Sequence, residues 1–197
     1  MPSGPTDNLS AMPDAARDGS RTRTPRHEAR QNVLNATLEL LRDHDPESIT
    51  VRDIAERSGH HHRFIQDWFG GKTHLFAEAF QELNVEIAGM ITFDVSGASY
   101  PNENIVKSVK LMNWLTANDP ALVTGERMRP VVTRVQNMYQ DRFGIDPSTA
   151  RLLAQRIMFL VTGVVLFAEV FGLENVDIPQ QMALEFDMAR RLGTRPG

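Results

Sequence analysis

The sequence predicts an all-α protein in which a small N-terminal unit of three helices precedes a larger C-terminal helical domain. No segment shows the sustained two-residue alternation of a half-buried strand, whereas apolar residues recur every three or four positions along several long segments. Residues 50–75 also have the pattern of two short helices joined by a tight turn. The predicted division is a disordered arm over residues 1–24, a three-helix unit over 25–71 and a helical domain over 72–197.

The composition excludes several classes of protein. With no cysteine among its 197 residues, the chain has no disulfide framework, no thiolate nucleophile and no cysteine-based zinc site. A net charge of −4 argues against a generally basic nucleic-acid coat protein, although local charge on one face can still bind DNA. The first 24 residues lack the apolar run of a signal peptide, and the apolar segment from Ile157 to Ala168 is shorter than the ~20 residues that span a bilayer. We therefore expect a cytoplasmic protein with no membrane segment.

Residues 50–59 are predicted to form the first of the two short helices. Thr50 and Asp53 have the spacing of a capping pair, in which short polar side chains bind the free amide groups of a first turn. Three apolar residues at helical spacing then define one buried face: Val51, Ile54 and Ala55. Gly59 ends the helix, because glycine tolerates the positive φ of a helix terminus.

A second short helix is predicted over about residues 61–68, and a pair of glycines at 70–71 stops it. Either Phe64 or Ile65, together with Phe69, is expected to face inward. Two short helices joined by a tight turn form a helix-turn-helix, and the second helix is the natural candidate to enter a DNA major groove.

Residues 30–76 resemble the DNA-binding domain of the TetR family of bacterial transcriptional regulators. The matching residues follow the family's order and spacing: Arg30, Val33, Leu34, Ala36, Thr37, Leu40, Leu41, Thr50, Val51, Ile54, Ala55, Gly59, Ile65, Phe69, Lys72 and Leu75. The resemblance implies a homodimer whose C-terminal helical domain binds a small ligand and the partner subunit. The chain departs from the family where Asp45 and Pro46 replace a common glycine, and where Gln66 replaces a common tyrosine.

The resemblance also implies candidate DNA contacts. Arg52 occupies a position that can reach a base in the family, and the recognition helix offers four more candidates: His61, His62, Arg63 and Gln66. Thr50 and Lys72 are predicted to hold phosphates, together with backbone amides at the helix N-termini. Asp67 is expected to point away, because phosphates repel a carboxylate. The alternative for the two arginines is a solvated helix face.

Three consecutive histidines, His60 to His62, raise the question of a zinc site. Successive residues on a helix project about 100° apart, so three in a row do not converge on one ion. No cysteine or carboxylate cluster accompanies them. We therefore predict no metal and no cofactor.

The C-terminal domain is predicted to begin with a long helix over residues 72–92 that joins it to the helix-turn-helix, so a ligand signal is expected to travel along it. Further helices are predicted at 103–117, 121–143 with a break or kink at Pro130, 147–172 and 179–193. The helix at 147–172 is apolar on nearly every side and must be covered on every side. A second copy of the chain can cover one face, which predicts a dimer through residues 147–193; the alternative is a buried central helix in a monomer.

Polar residues embedded among apolar ones in the middle helices are the candidates for a ligand site: Asn113, Trp114, Arg134, Tyr139, Gln155 and Thr162. The surrounding methionines and phenylalanines favour a largely hydrophobic ligand, because such side chains line adaptable apolar cavities. The alternative for each candidate is an ordinary core or surface residue.

These patterns predict a ligand-responsive transcriptional regulator, most simply a repressor, that binds double-stranded operator DNA as a homodimer. An enzyme is not predicted, because the sequence has no phosphate-binding loop, no metal set and no paired acid and base. Residues 97–101 only approach the G-x-S-x-G pattern of hydrolases, since Pro101 replaces the last glycine. The alternative is a helical small-molecule-binding or protein-interaction module without sequence-specific DNA binding.

Overall fold

The computed structural model describes residues 25–91, 102–125, 129–172 and 177–193. Within these ranges the chain forms α-helices joined by short connections: α1 (Arg26–Asp43), α2 (Val51–Ser58), α3 (Arg63–Phe69), α4 (Lys72–Met90), α5 (Glu103–Asn118), a 3-10 turn (Pro120–Val123), α6 (Pro130–Phe143), α7 (Pro147–Phe171) and α8 (Ile178–Gly193). No strand occurs in them, and the all-α prediction is confirmed. The predicted arm at 1–24 and the hydrolase-like pattern at 97–101 lie outside the described residues.

The helix-turn-helix forms from the local signals in its sequence. The Thr50 hydroxyl accepts a hydrogen bond from the Asp53 amide at 3.2 Å, and the Asp53 carboxylate accepts one from the Thr50 amide at 2.7 Å. This reciprocal pair satisfies two amide donors at the start of α2. Gly59 and Gly70 end α2 and α3 at φ values of 70° and 82°, which a residue with a Cβ rarely adopts.

The N-terminal helices close around one apolar core, which α4 and α5 complete. Ile65 and Phe69 are the inward residues of α3, whereas Phe64 is only partly buried. Apolar residues at helical spacing form a buried stripe along α4: Phe76, Phe80, Leu83 and Ile87. Met90 continues this spacing but is exposed, because it lies in the last turn of the helix.

One predicted helix is not continuous. The segment 121–143 is predicted as a helix broken or kinked at Pro130, and α6 does begin at Pro130, but the part before it contains a 3-10 turn instead of an α-helix. Proline lacks an amide hydrogen and clashes with the preceding turn, so it is tolerated in the first turn of a helix. Asp119 supports the 3-10 turn by accepting a hydrogen bond from the Ala121 amide at 3.2 Å.

A second apolar core lies between α6, α7 and α8, with Tyr139, Ile157 and Phe186 among its buried residues. In the single chain the second core covers one side of α7, as predicted, and the covering of its other side by a second copy stays a prediction. One side of the helix leaves large apolar residues exposed: Leu152, Phe159, Phe167, Val170 and Phe171. With 25 residues, α7 is also long and apolar enough to cross a membrane by length and composition, a property that core helices of soluble proteins share.

Candidate DNA-binding surface and ligand cavity

The exposed side of the helix-turn-helix gathers most of the predicted DNA contacts. His61, His62, Arg63, Gln66 and Lys72 surround one shallow depression of about 380 Å³ between α3 and the start of α4. Polar and cationic side chains of these types can contact phosphates and base edges.

Thr50 and Arg52 are exposed at the start of α2 and flank Val51, which lines the same depression. Arg52 has no ion-pair partner among the described residues, so its guanidinium is available to a ligand. Arg63 differs, because its Nε lies 3.3 Å from the Asp67 carboxylate. The Asp67 carboxylate, which was predicted to point away from DNA, therefore lies beside the Arg63 guanidinium and partly neutralises its charge.

The histidines at the turn have separate environments. The His61 Nδ1 accepts a hydrogen bond from the Arg63 amide at 3.2 Å, and the rings of His61 and His62 lie 4.2 Å apart. The His60 ring instead meets the edges of Phe64 and Trp68, and its Nε2 is buried without a partner among the described residues. The described residues contain no group of three or more His, Cys, Asp or Glu side chains that could hold a metal ion.

Phe64 and Trp68 stack on each other along one side of α3. Their ring centroids are 4.4 Å apart and the rings are nearly parallel, at 2°. Residues four apart on a helix meet in this way, and both rings remain partly exposed. The Trp68 ring therefore covers one face of Phe64 at the first turn of the recognition helix.

The Lys72 side chain is partly buried beside the depression and makes contacts within the protein. Its ammonium donates a hydrogen bond to the carbonyl of Pro46 at 3.0 Å and lies 5.0 Å from the ring centroids of Phe76 and Trp114. Burial lowers the pKa of Lys72, and the nearby carboxylates of Asp53 and Glu47 oppose this effect. The side chain thus links α4 to the turn before α2 and to α5.

A second link joins α5 to the same turn. The Lys110 ammonium lies 2.8 Å from the carboxylate of Asp45, a residue 65 positions away in the sequence. Leu111 and Leu115 of α5 are fully buried in the N-terminal core. The C-terminal half of α5 therefore packs into the N-terminal core and contacts the turn before α2.

A cavity of about 940 Å³ lies between α4, α5, α6, α7 and α8. Its walls are mainly apolar, with Ile87, Val109, Met158 and Phe186 among them. Several polar residues also line it: Asn84, Ser108, Thr133, Gln136, Gln155 and Thr162. The volume lies within the ~300–1,000 Å³ of ligand pockets, and mixed walls of this kind suit a mostly apolar small molecule.

The six predicted ligand residues divide into two groups. Gln155 and Thr162 line the cavity, and Asn113, Trp114, Arg134 and Tyr139 do not. Asn113 is exposed on α5, and Trp114 covers Phe76 and Lys72.

Arg134 and Tyr139 lie on α6, outside the cavity. Arg134 reaches the carbonyl of Ile91 at 3.5 Å, whereas Tyr139 is completely buried in the second core.

Two buried polar residues in the cavity wall escaped the sequence analysis. The Ser108 hydroxyl donates to the Asn84 side-chain carbonyl at 3.1 Å, and the Asn84 amide donates to the Phe80 carbonyl at 2.8 Å. Asn84 follows Phe80 by four residues on the apolar stripe of α4, and a polar residue at such a core position is the signal that could have identified it.

The family of the N-terminal domain is shown by its sequence. Residues 33–79 match the family described as bacterial regulatory proteins, tetR family. The N-terminal domain belongs to the TetR family. This match includes both helices of the helix-turn-helix and the first turns of α4, so the TetR-type DNA-binding domain spans the surface described above.

Solved structures extend the similarity of fold over most of the chain. Protein SCO7518 of Streptomyces coelicolor A3(2), described as a transcriptional regulator, is 24% identical with a TM-score of 0.54, and the match covers 85% of this chain and 99% of that one. A protein from Rhodococcus sp. RHA1, also described as a transcriptional regulator, is 16% identical with a TM-score of 0.55, and the match covers 82% of this chain and 95% of that one. The multidrug binding protein EbrR, solved with imidazole, is 17% identical with a TM-score of 0.53, over 86% and 97%. No curated protein sequence matches the chain.

Proposed function

We propose that this TetR-family protein is a ligand-responsive regulator, most simply a repressor, that binds operator DNA as a homodimer in the cytoplasm. The observation that supports this best is the path between the two sites. Residues of α5 line the cavity at Ser108 and Val109, and other residues of the same helix contact Asp45 in the turn before α2 and Lys72 at the start of α4. A ligand that shifts α5 or α4 would therefore move the DNA-binding surface.

The proposed DNA surface consists of Thr50, Arg52, His61, His62, Arg63 and Gln66. Arg52, Arg63 and Gln66 would read bases, while Thr50 and the amides at the helix N-termini would hold phosphates. Lys72 contributes differently in this proposal: because its ammonium already binds Pro46, it positions α2 and α4 instead of contacting DNA.

The proposed homodimer uses the exposed apolar side of α7 together with α8. Phe159 is 77% exposed and Val170 75%, on either side of a kink in α7 at Phe167, and exposed apolar side chains of this size mark a surface that a partner would cover. Gly163 lies four residues after Phe159 and has open space around its Cβ position, which allows a second helix to approach closely. Two helices from each subunit would form a four-helix interface.

Selection of bound sites from random DNA with the purified protein tests the proposal. We expect two half-sites related by two-fold symmetry, because a dimer presents two recognition helices. Binding should weaken steeply as salt rises, since phosphate contacts release counterions. Recovery of no enriched sequence would instead favour a helical ligand-binding or protein-interaction module.

A further inference from the structure

The charged residues of the cavity all have one sign. Arg129 and Arg151 line it, and no aspartate or glutamate does so among the described lining residues. A cationic ligand in an apolar cavity needs a carboxylate or a cage of electron-rich rings. The rings in this wall are phenylalanines alone, which are weaker partners for a cation than tryptophan.

The two arginines have no carboxylate partner of their own in the described part of the chain. Arg30, Arg57 and Arg156, by contrast, each bind a glutamate within 3.4 Å. Arg129 and Arg151 are exposed, so their guanidinium groups remain charged and hydrated next to an apolar space. A guanidinium binds a carboxylate through two parallel hydrogen bonds, which makes an anionic head group the best-matched ligand feature.

The buried polar pair supplies a second contact inside the cavity. Asn84 and Ser108 are 6% and 7% exposed. One amide hydrogen of Asn84 binds the Phe80 carbonyl, and the other has no partner among the described residues. A ligand oxygen within the cavity could accept it.

We propose that the cavity binds an amphipathic monocarboxylate, whose apolar chain lies along the walls and whose carboxylate is held by Arg129 or Arg151. The proposal rests on the ligand-responsive function and specifies the chemical class of the ligand. The driving force divides between burial of the apolar chain and a charge-assisted hydrogen bond at the arginine.

Three probes of one chain length test the charge preference. Decanoate, decan-1-ol and decylamine would be titrated by calorimetry at low salt into the full-length protein and into its Arg129→Gln/Arg151→Gln variant. Decanoate should bind the parent about tenfold or more tightly than the alcohol, and the amine most weakly. The double variant should lose this preference while its affinity for the alcohol stays the same. Arg42→Gln, an exposed arginine on α1, is the control for a general loss of positive charge.

The outcomes separate the two proposals. Equal binding of all three probes, tighter binding of the amine, or an undiminished carboxylate preference in the double variant would overturn the carboxylate assignment and leave a ligand cavity in place. Binding of none of the probes would overturn the carboxylate proposal, and the random-DNA selection would still decide whether the protein binds an operator. The single variants Arg129→Lys and Arg151→Lys should retain part of the preference, because they keep the charge.

Discussion

At the scale of single residues, the structure changes the roles of side chains that look alike in the sequence. Tyr139 is a candidate ligand residue by composition, yet it is completely buried, and its hydroxyl has no partner among the described residues. Burial raises the pKa of Tyr139, the nearby Glu185 carboxylate raises it further and Arg156 partly opposes them. The residue is therefore a neutral core residue at physiological pH.

We expect the Tyr139→Phe variant to resist alkaline unfolding better than the parent. Below pH ~10 the phenol of Tyr139 is neutral in both the folded and the unfolded protein. Above that pH the phenol ionises first in the unfolded protein, which favours unfolding. The contribution of Tyr139 to the free energy of unfolding is thus fully present below pH ~10 and is lost as pH rises further. At pH 7 the substitution should change the unfolding free energy by less than about 1 kcal/mol, because it breaks no hydrogen bond.

Urea unfolding of both proteins at pH 7, 9 and 11 measures this. The two lower values serve as the control, since the phenol is neutral there in both states. Equal loss of stability in parent and variant at pH 11 would contradict the assignment.

Arg52 is expected to read a base, and Arg57 provides a matched control on the same helix. Arg52→Ala should cost ~1–3 kcal/mol at one base pair of the selected operator and relax the preference there. Arg57 already pairs with Glu39 at 3.4 Å and is half exposed, so Arg57→Ala should change affinity by less than ~0.5 kcal/mol. Competition binding with operators altered one base pair at a time distinguishes base readout from a uniform loss, and a uniform loss would return Arg52 to the phosphate contacts.

At the scale of the helices, α5 emerges as a connection that the sequence analysis did not identify. The sequence predicts that a signal travels along α4, because that helix joins the two parts of the chain. In the structure, α5 lines the cavity and also contacts the turn before α2, where Lys110 pairs with Asp45. Its Trp114 ring in addition contacts Lys72 at the start of α4. Both helices therefore connect the two sites.

Lys72 and Lys110 contact the same turn but should differ in importance. Lys72→Met removes a partly buried hydrogen bond to Pro46 and two cation–ring contacts, which we expect to cost about 1–2 kcal/mol of folding free energy. Lys110→Met should cost ~0–1 kcal/mol, because its ion pair with Asp45 is about half exposed and screened by salt. Denaturant unfolding measures both.

The DNA-binding salt slope then decides between two roles for Lys72. If Lys72 acts only inside the protein, the slope of the Lys72→Met variant should equal that of the parent. A slope lowered by about one would restore the phosphate contact that the sequence predicts. The Lys110→Met variant, with the same loss of one charge, controls for general electrostatics.

At the scale of the whole molecule, the exposed side of α7 remains to be covered. Phe159→Glu should convert the proposed dimer into a monomer, because a charge at the centre of an apolar interface has no partner. Since Phe159 is largely exposed in the single chain, the variant should keep its helical content and its melting behaviour. Ile157→Glu, at a buried position of the same helix, should instead unfold the protein.

Sedimentation velocity and circular dichroism measure these outcomes. The Leu166 side chain is partly buried against the second core, so a charge there would confuse unfolding with dissociation, and Phe159 is the cleaner site. A folded monomer for the unaltered protein at micromolar concentration would contradict the dimer.

The sequence alone determined the features whose causes are local. The capping pair Thr50 and Asp53, the helical spacing of Ile54 and Ile65, and the glycines at 59 and 70 predict the helix-turn-helix because each acts within one or two helical turns. The TetR-family resemblance rests on these residues and is confirmed. The start of α6 at Pro130 also has a local cause, the missing amide hydrogen of proline, although a proline at this position is compatible with a helix before it as well.

Tertiary structure alone decided which side chains share a site, because those partners lie far apart in the chain. Arg30 binds Glu78 across 48 residues and Asp45 binds Lys110 across 65, and no spacing rule relates such pairs. The same holds for the cavity, where α4 brings Asn84 beside Ser108 and the predicted Tyr139 turns into the core. Periodicity shows which face of a helix is apolar, but only packing decides whether that face meets a core, a cavity or solvent.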